Sequence, residues 1–195
     1  MKRASLLILF AICFMPIFCG CESTSSSAGL RHAGFLSDYS KLVRISDTSS
    51  RYINPNIDMK VYRRFIVDPV KVLFQYGTGS DVKTWEDVEK LRAYMRDVIV
   101  YAIPDYVEAV APGPGVARIR AAMTNVKKAS AFSMSSVSVE IEFIDSQTGE
   151  QIAALVETQQ KGGALGEYYN WENAKKIMDE WGARLRERYN EAIRK

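Results

Sequence analysis

The stretch Ser136-Val137-Ser138-Val139-Glu140-Ile141-Glu142-Phe143-Ile144-Asp145 decides the fold. Val137, Val139, Ile141 and Phe143 alternate with Ser138, Glu140 and Glu142. That period of two belongs to a strand whose faces meet different surroundings. The apolar set is assigned to the core, and Ser138, Glu140 and Glu142 are read as a wet face. Ser146-Gln-Thr-Gly149 then turns the chain, with Gly149 free to take a positive φ, and Gln151–Gln159 returns as the hairpin partner.

The pattern extends outward from this hairpin. Upstream, Pro112-Gly-Pro-Gly115 is a turn that leads into a strand over Val116–Lys127, and Tyr106–Ala111 reads as a short strand before it. Thr84 caps a helix whose apolar face is Val88, Leu91, Met95, Val98 and Ala102, and Pro104 ends it. Arg64–Gln75 reads as a strand broken at Asp68-Pro69, hence bulged or at a sheet edge. Downstream, Lys161-Gly-Gly-Ala-Leu-Gly166 is a loop. Asn170 caps a last helix with Trp171, Ala174, Ile177, Trp181, Leu185 and Ala192 along one stripe. His32–Lys60 is irregular, with the apolar group Gly34–Leu42 packed against the domain. The order β-α-β-β-β-β-α gives an α+β class: a single two-layer domain with two helices on one face of a mostly antiparallel sheet.

The first residues read differently. Lys2 and Arg3 precede an apolar run, Ala4–Ile17, which Phe18-Cys19-Gly20-Cys21 closes. The run is shorter than the ~20 residues of a membrane span and has the layout of an export signal. Gly20-Cys21 is similar to a lipobox, with Phe18 where leucine is usual. An ordinary secretory signal is the alternative, but the A-x-A-like site it needs is missing. The expected organisation is therefore a signal peptide over 1–20, a lipidated Cys21 with a Ser-rich tether over 21–31, and one periplasmic domain over 32–195. By likeness to bacterial lipoproteins, Glu22 after the cysteine directs the protein to the outer membrane, facing the periplasm, with the lipid as its membrane partner.

Composition narrows the function. The formal charge of +3 includes Lys2 and Arg3, so loss of the signal leaves +1. No basic stripe remains for nucleic acid. All three cysteines lie at or before Cys21, so the mature body has neither disulfide nor cysteine metal site. His32 is the single histidine and lies beside the tether. That argues against a Ser-His-Asp triad and against a histidine metal centre.

Three features could carry chemistry. Glu140 and Glu142 share a strand face roughly 7 Å apart, and paired carboxylates can act as acid and base on a glycosidic polymer. Their alternation with core residues favours a plain solvated face. Gly162, Gly163 and Gly166 lack the Lys-Ser/Thr of a phosphate loop. Tyr168, Tyr169 and Trp171 beside that loop are the partner-binding candidates. Against that stands a simpler role, with Trp171 plugging the core and the tyrosines flanking it. No catalytic, metal-binding or cofactor-binding residue is assigned. The reading is a lipid-anchored, non-catalytic module that binds a protein partner or assembles in the envelope. The alternative is an enzyme acting on an envelope polymer through exposed carboxylates.

Several segments together resemble a family of bacterial lipoproteins catalogued as domain of unknown function 3313. They are Gly34-Phe-Leu-Ser-Asp-Tyr-Ser-Lys-Leu42, Ile66-Val-Asp-Pro-Val70, Pro112-Gly-Pro-Gly115 leading to Arg118-Ile-Arg-Ala-Ala-Met-Thr-Asn125, and Glu142-Phe-Ile-Asp-Ser-Gln-Thr-Gly149. The resemblance spans Gly34 to Val156. It implies an envelope location and supplies no known activity or catalytic residue.

Overall fold

The computed structural model describes residues 32–73, 85–124, 135–161 and 171–194. Among these residues seven strands form one sheet: β1 (Val43–Ser46), β2 (Ser49–Ile53), β3 (Arg64–Val67), β4 (Lys71–Leu73), β5 (Val116–Thr124), β6 (Ser135–Asp145) and β7 (Gln151–Lys161). The helices are α1 (Trp85–Ala102) and α2 (Trp171–Arg194). The sheet runs β1-β2-β7-β6-β5-β3, with β4 also paired to β5. The pairs from β1 through β5 are antiparallel, whereas β3 and β4 run parallel to β5. Parallel neighbours need a long crossover, and α1 supplies it between β4 and β5. The domain is α+β with a mostly antiparallel sheet, as the sequence indicates.

The β6–β7 hairpin forms as read. Val139, Ile141 and Phe143 are buried on the helix-covered face. Val88, Leu91, Met95 and Ala102 of α1 are buried, as are Ile177, Trp181 and Leu185 of α2. The helices approach closely because α2 has no side chain at Gly182. A Cβ there would lie 2.6 Å from Val98 Cγ1. The Arg64–Gln75 segment splits into β3 and β4 at Asp68-Pro69, where proline has no amide to give a ladder.

Two readings are corrected. His32–Lys60 is not irregular throughout, since Val43–Ile53 forms the β1–β2 hairpin at one edge of the sheet. All four β1 residues are exposed, so no buried face imprinted an alternation on the sequence. The Tyr106–Ala111 strand reduces to a single bridge, Phe65 to Glu108, flanked by Phe65 N–H donating to Val107 and Ala109 N–H donating to Phe65.

Two turns show why their residues are needed. Asp145 Oδ1 accepts from the amides of Gln147 (2.9 Å) and Thr148 (2.8 Å), while Oδ2 accepts from Tyr62 Oη at 3.0 Å. The Thr148 amide is the largest cause holding the Asp145 carboxyl below its usual range. Gly115 takes φ +66°, and a Cβ on it would lie 2.8 Å from the Val61 carbonyl oxygen.

Candidate functional site: two carboxylates under a strap

The largest departure from expectation concerns Glu140 and Glu142. They are not on a wet face: both are 0% exposed. The strap Ala33–Leu42 covers the sheet face opposite the helices and buries them.

Register explains the site. Across the sheet, Ala122 pairs with Glu140 and Glu140 with Val156, while Arg120 pairs with Glu142 and Glu142 with Ala154. The small neighbours Ala122, Ala154 and Val156 leave a shallow trough between cross-strand rows. Phe35 and Leu36 fill it, making an apolar cluster distinct from the main core, with Tyr39 and Leu42 packed against it. Arg120 and Lys71 lie over the Phe35 ring, at 5.0 Å and 5.8 Å from its centroid. Such contacts are favourable cation–π placements.

A buried carboxylate needs donors, and the strap provides most of them. Glu140 Oε1 accepts from Ala33 N at 2.7 Å, and Oε2 accepts from Tyr39 Oη. Glu142 Oε2 accepts from Ser37 N (2.9 Å), Ser37 Oγ (2.7 Å) and Gln151 Nε2 (2.9 Å). Its Oε1 is ion-paired with Arg120. Tyr39 also folds the strap, because its hydroxyl oxygen accepts from Phe35 N (2.6 Å) and Leu36 N (3.0 Å). Burial, and then the bond to Glu140, push the Tyr39 hydroxyl up to about 12. Gly34 makes the bend at φ +76° that lets the strap descend. Every carboxylate oxygen thus has a donor, and the pair works as an anchoring platform. A third buried acid, Glu157, lies on the helix face and is met by Arg184 and Arg188, each at 2.6 Å.

Cys21, Tyr168 and Tyr169 lie outside the described residues, as do Gly162, Gly163 and Gly166. Trp171 opens α2, and its side chain is outside the description. His32 sits at the strap's entrance, its ring 4.7 Å from that of Tyr39. Among the described residues no group of His, Cys, Asp and Glu could hold a metal ion, and no helix is long and apolar enough to cross a membrane.

Reading the residues alone missed Ser37, Tyr39, Arg120 and Gln151. The signal was present in two halves. Gly34–Leu42 carries too much apolar surface for a free segment, and β6 offers a face needing a cover. Joining them requires contacts more than 100 residues apart in sequence.

The fold and site define a single-sheet α+β domain with helices on one face and an N-terminal strap on the other. The chain belongs to the family described as "Protein of unknown function (DUF3313)", whose model matches residues 31–135 and 130–185. No curated protein matches the chain. Among solved structures it is similar to the PelC dodecamer from Paraburkholderia phytofirmans, with 12% identity over 71% of this chain and 95% of that chain and a TM-score of 0.45. It is also similar to the hypothetical protein CT253 from Chlamydia trachomatis, with 11% identity over 68% and 95% of the chains and a TM-score of 0.40. Both likenesses are too distant to bear on function.

Proposed function

We propose that this protein is a lipid-anchored envelope module, held at the outer membrane through Cys21 and facing the periplasm, that binds a protein partner without catalysing a reaction. The observation that carries this reading is the occupation of Glu140 and Glu142. An envelope-polymer enzyme of the kind considered above needs exposed carboxylates, one to give a proton and one to take it. Here both are buried and their four oxygens are engaged. In sequence the strap they hold follows the Ser-rich tether, between the proposed anchor and the sheet. Exposed apolar residues are available for contact at both sheet edges, with Val43 and Ile45 at one and Val107 and Val110 at the other.

Site-specific photocrosslinking in intact envelopes tests the reading, with the crosslinker placed in turn at Ile45, Val107 and Tyr101. A discrete adduct dependent on position is expected. Absence of any adduct, together with release of soluble fragments from envelope polymer by the purified protein, would favour the enzyme.

A further inference from the structure

We propose that the trough beneath the strap is a peptide-recognition site, that Ala33–Leu42 is its cis occupant, and that an extended segment of a partner protein with the same chemistry displaces it. That chemistry is a glycine bend, an aromatic–leucine pair and hydroxyl-bearing residues. The inference names the partner chemistry for the binding function above and rests on it in that respect.

The strap is held as a bound peptide is held. Residues 32–42 belong to no helix or strand. Their anchoring bonds run to residues more than 100 positions away: Ala33 and Tyr39 to Glu140, and Ser37 to Glu142. Phe35 and Leu36 pack into a cluster separate from the main core. Displacing them would leave the helix-covered face of the sheet undisturbed. Ala33, Gly34, Ser37, Ser40 and Lys41 are exposed, so the strap has an outer surface as well as a buried one.

The platform dictates what replaces the strap. Two buried carboxylates cannot be left without donors, so release into water is disfavoured and exchange for another donor-rich segment is close to even. An acidic residue in place of Ser37 would meet Glu142 as like charge and be rejected. The trough also holds an acceptor that the cis strap leaves unused. Gln151, 3% exposed, donates to Glu142 and to the Asp38 carbonyl, but its Oε1 has no partner. A partner segment with one further donor there would gain over the strap.

The test uses the full chain with Phe35→Ala and Tyr39→Phe, which weaken the cis strap, and a fluorescent synthetic peptide of residues 32–42 as probe. A tethered strap competes at an effective concentration on the order of millimolar, so the peptide should bind the weakened protein at least about tenfold more tightly than the intact one. A peptide carrying Ser37→Asp should lose about tenfold or more. No saturable binding to a cooperatively folding variant, or equal binding of the two peptides, overturns the proposal. If the variant does not fold, hydrogen exchange on the unmodified protein decides. The Ser37 amide should exchange through a local opening that leaves Ile141 protected, and exchange of both only on global unfolding overturns the proposal. A discrete envelope crosslink alongside a failed peptide test keeps the partner-binding function and removes this site from it.

Discussion

Arg120 and Glu142 stand directly opposite each other on β5 and β6, and their ion pair crosses the ladder beneath the strap. Arg120 is 28% exposed while Glu142 is fully buried, so the arginine reaches the carboxylate from the rim and also covers Phe35. One cross-strand pair therefore supports both the sheet and the segment lying on it.

The stability consequence reverses what a solvated strand face implies. Removing the Glu142 carboxylate leaves Ser37, Gln151 and Arg120 without their shared acceptor. Glu142→Ala should destabilise by about 2–4 kcal/mol, comparable with about 3–5 kcal/mol for Phe143→Ala on the opposite face. Chemical denaturation of the two variants checks this. A loss under about 0.5 kcal/mol for Glu142→Ala, the usual size for a surface site, would return the residue to solvent.

Tyr39 gives the strap a pH signature. Its hydroxyl ionises near 10 in the unfolded chain and near 12 when folded, chiefly through burial. Because the folded value is raised, the contribution is fully present below pH 10 and is lost as pH rises through 12. Tyr62, also raised to about 12 by burial, acts in the same window. Tyr39→Phe should therefore lower stability by about 1–3 kcal/mol at neutral pH, by leaving a Glu140 oxygen without its donor. It should also flatten part of the alkaline fall, leaving the parts due to Tyr62, Tyr106 and Tyr189, whose hydroxyls burial also raises. Denaturation midpoints across that range measure both, and an unchanged slope would show that Tyr39 is not held there.

The helix pair makes a separate prediction. Gly182→Ala places a methyl 2.6 Å from Val98 Cγ1 and should cost about 1–3 kcal/mol through forced separation of α1 and α2. Val98→Ala in the same chain should recover much of it. Additive losses in thermal unfolding would mean that the two positions are not in contact.

The proposed lipid anchor is tested by substituting Cys21. Cys21→Ser should shift the protein from the membrane fraction to a soluble or unprocessed form. Retention in the outer-membrane pellet with normal mobility would rule out lipidation at this site.

How far the residues alone led follows from what shapes them. The β6–β7 hairpin was legible because the face of β6 toward the helices carries Val139, Ile141 and Phe143, while the face toward the strap carries Ser138, Glu140 and Glu142. Both helices were legible because Leu91, Met95, Ile177 and Trp181 recur at helical spacing on faces that are in fact buried. The β1–β2 hairpin was not legible, since β1 is exposed on both sides and carries no periodic mark. The carboxylate platform was illegible for the opposite reason. A glutamate satisfied by amides, a tyrosine hydroxyl and an arginine has the same letter as one in water. Its burial appears only when Gly34–Leu42 is laid across β6.

The central claim is that Glu140 and Glu142 serve to hold the strap. Native-state hydrogen exchange at the Ala33 and Ser37 amides, in the intact protein and in Glu140→Ala and Glu142→Ala variants that remove the acceptors, tests it most directly. The account predicts protected amides in the intact protein, loss of protection at Ala33 in the first variant and at Ser37 in the second, and unchanged protection in α1 and α2. Unprotected strap amides in the intact protein, or protection indifferent to either substitution, would contradict it.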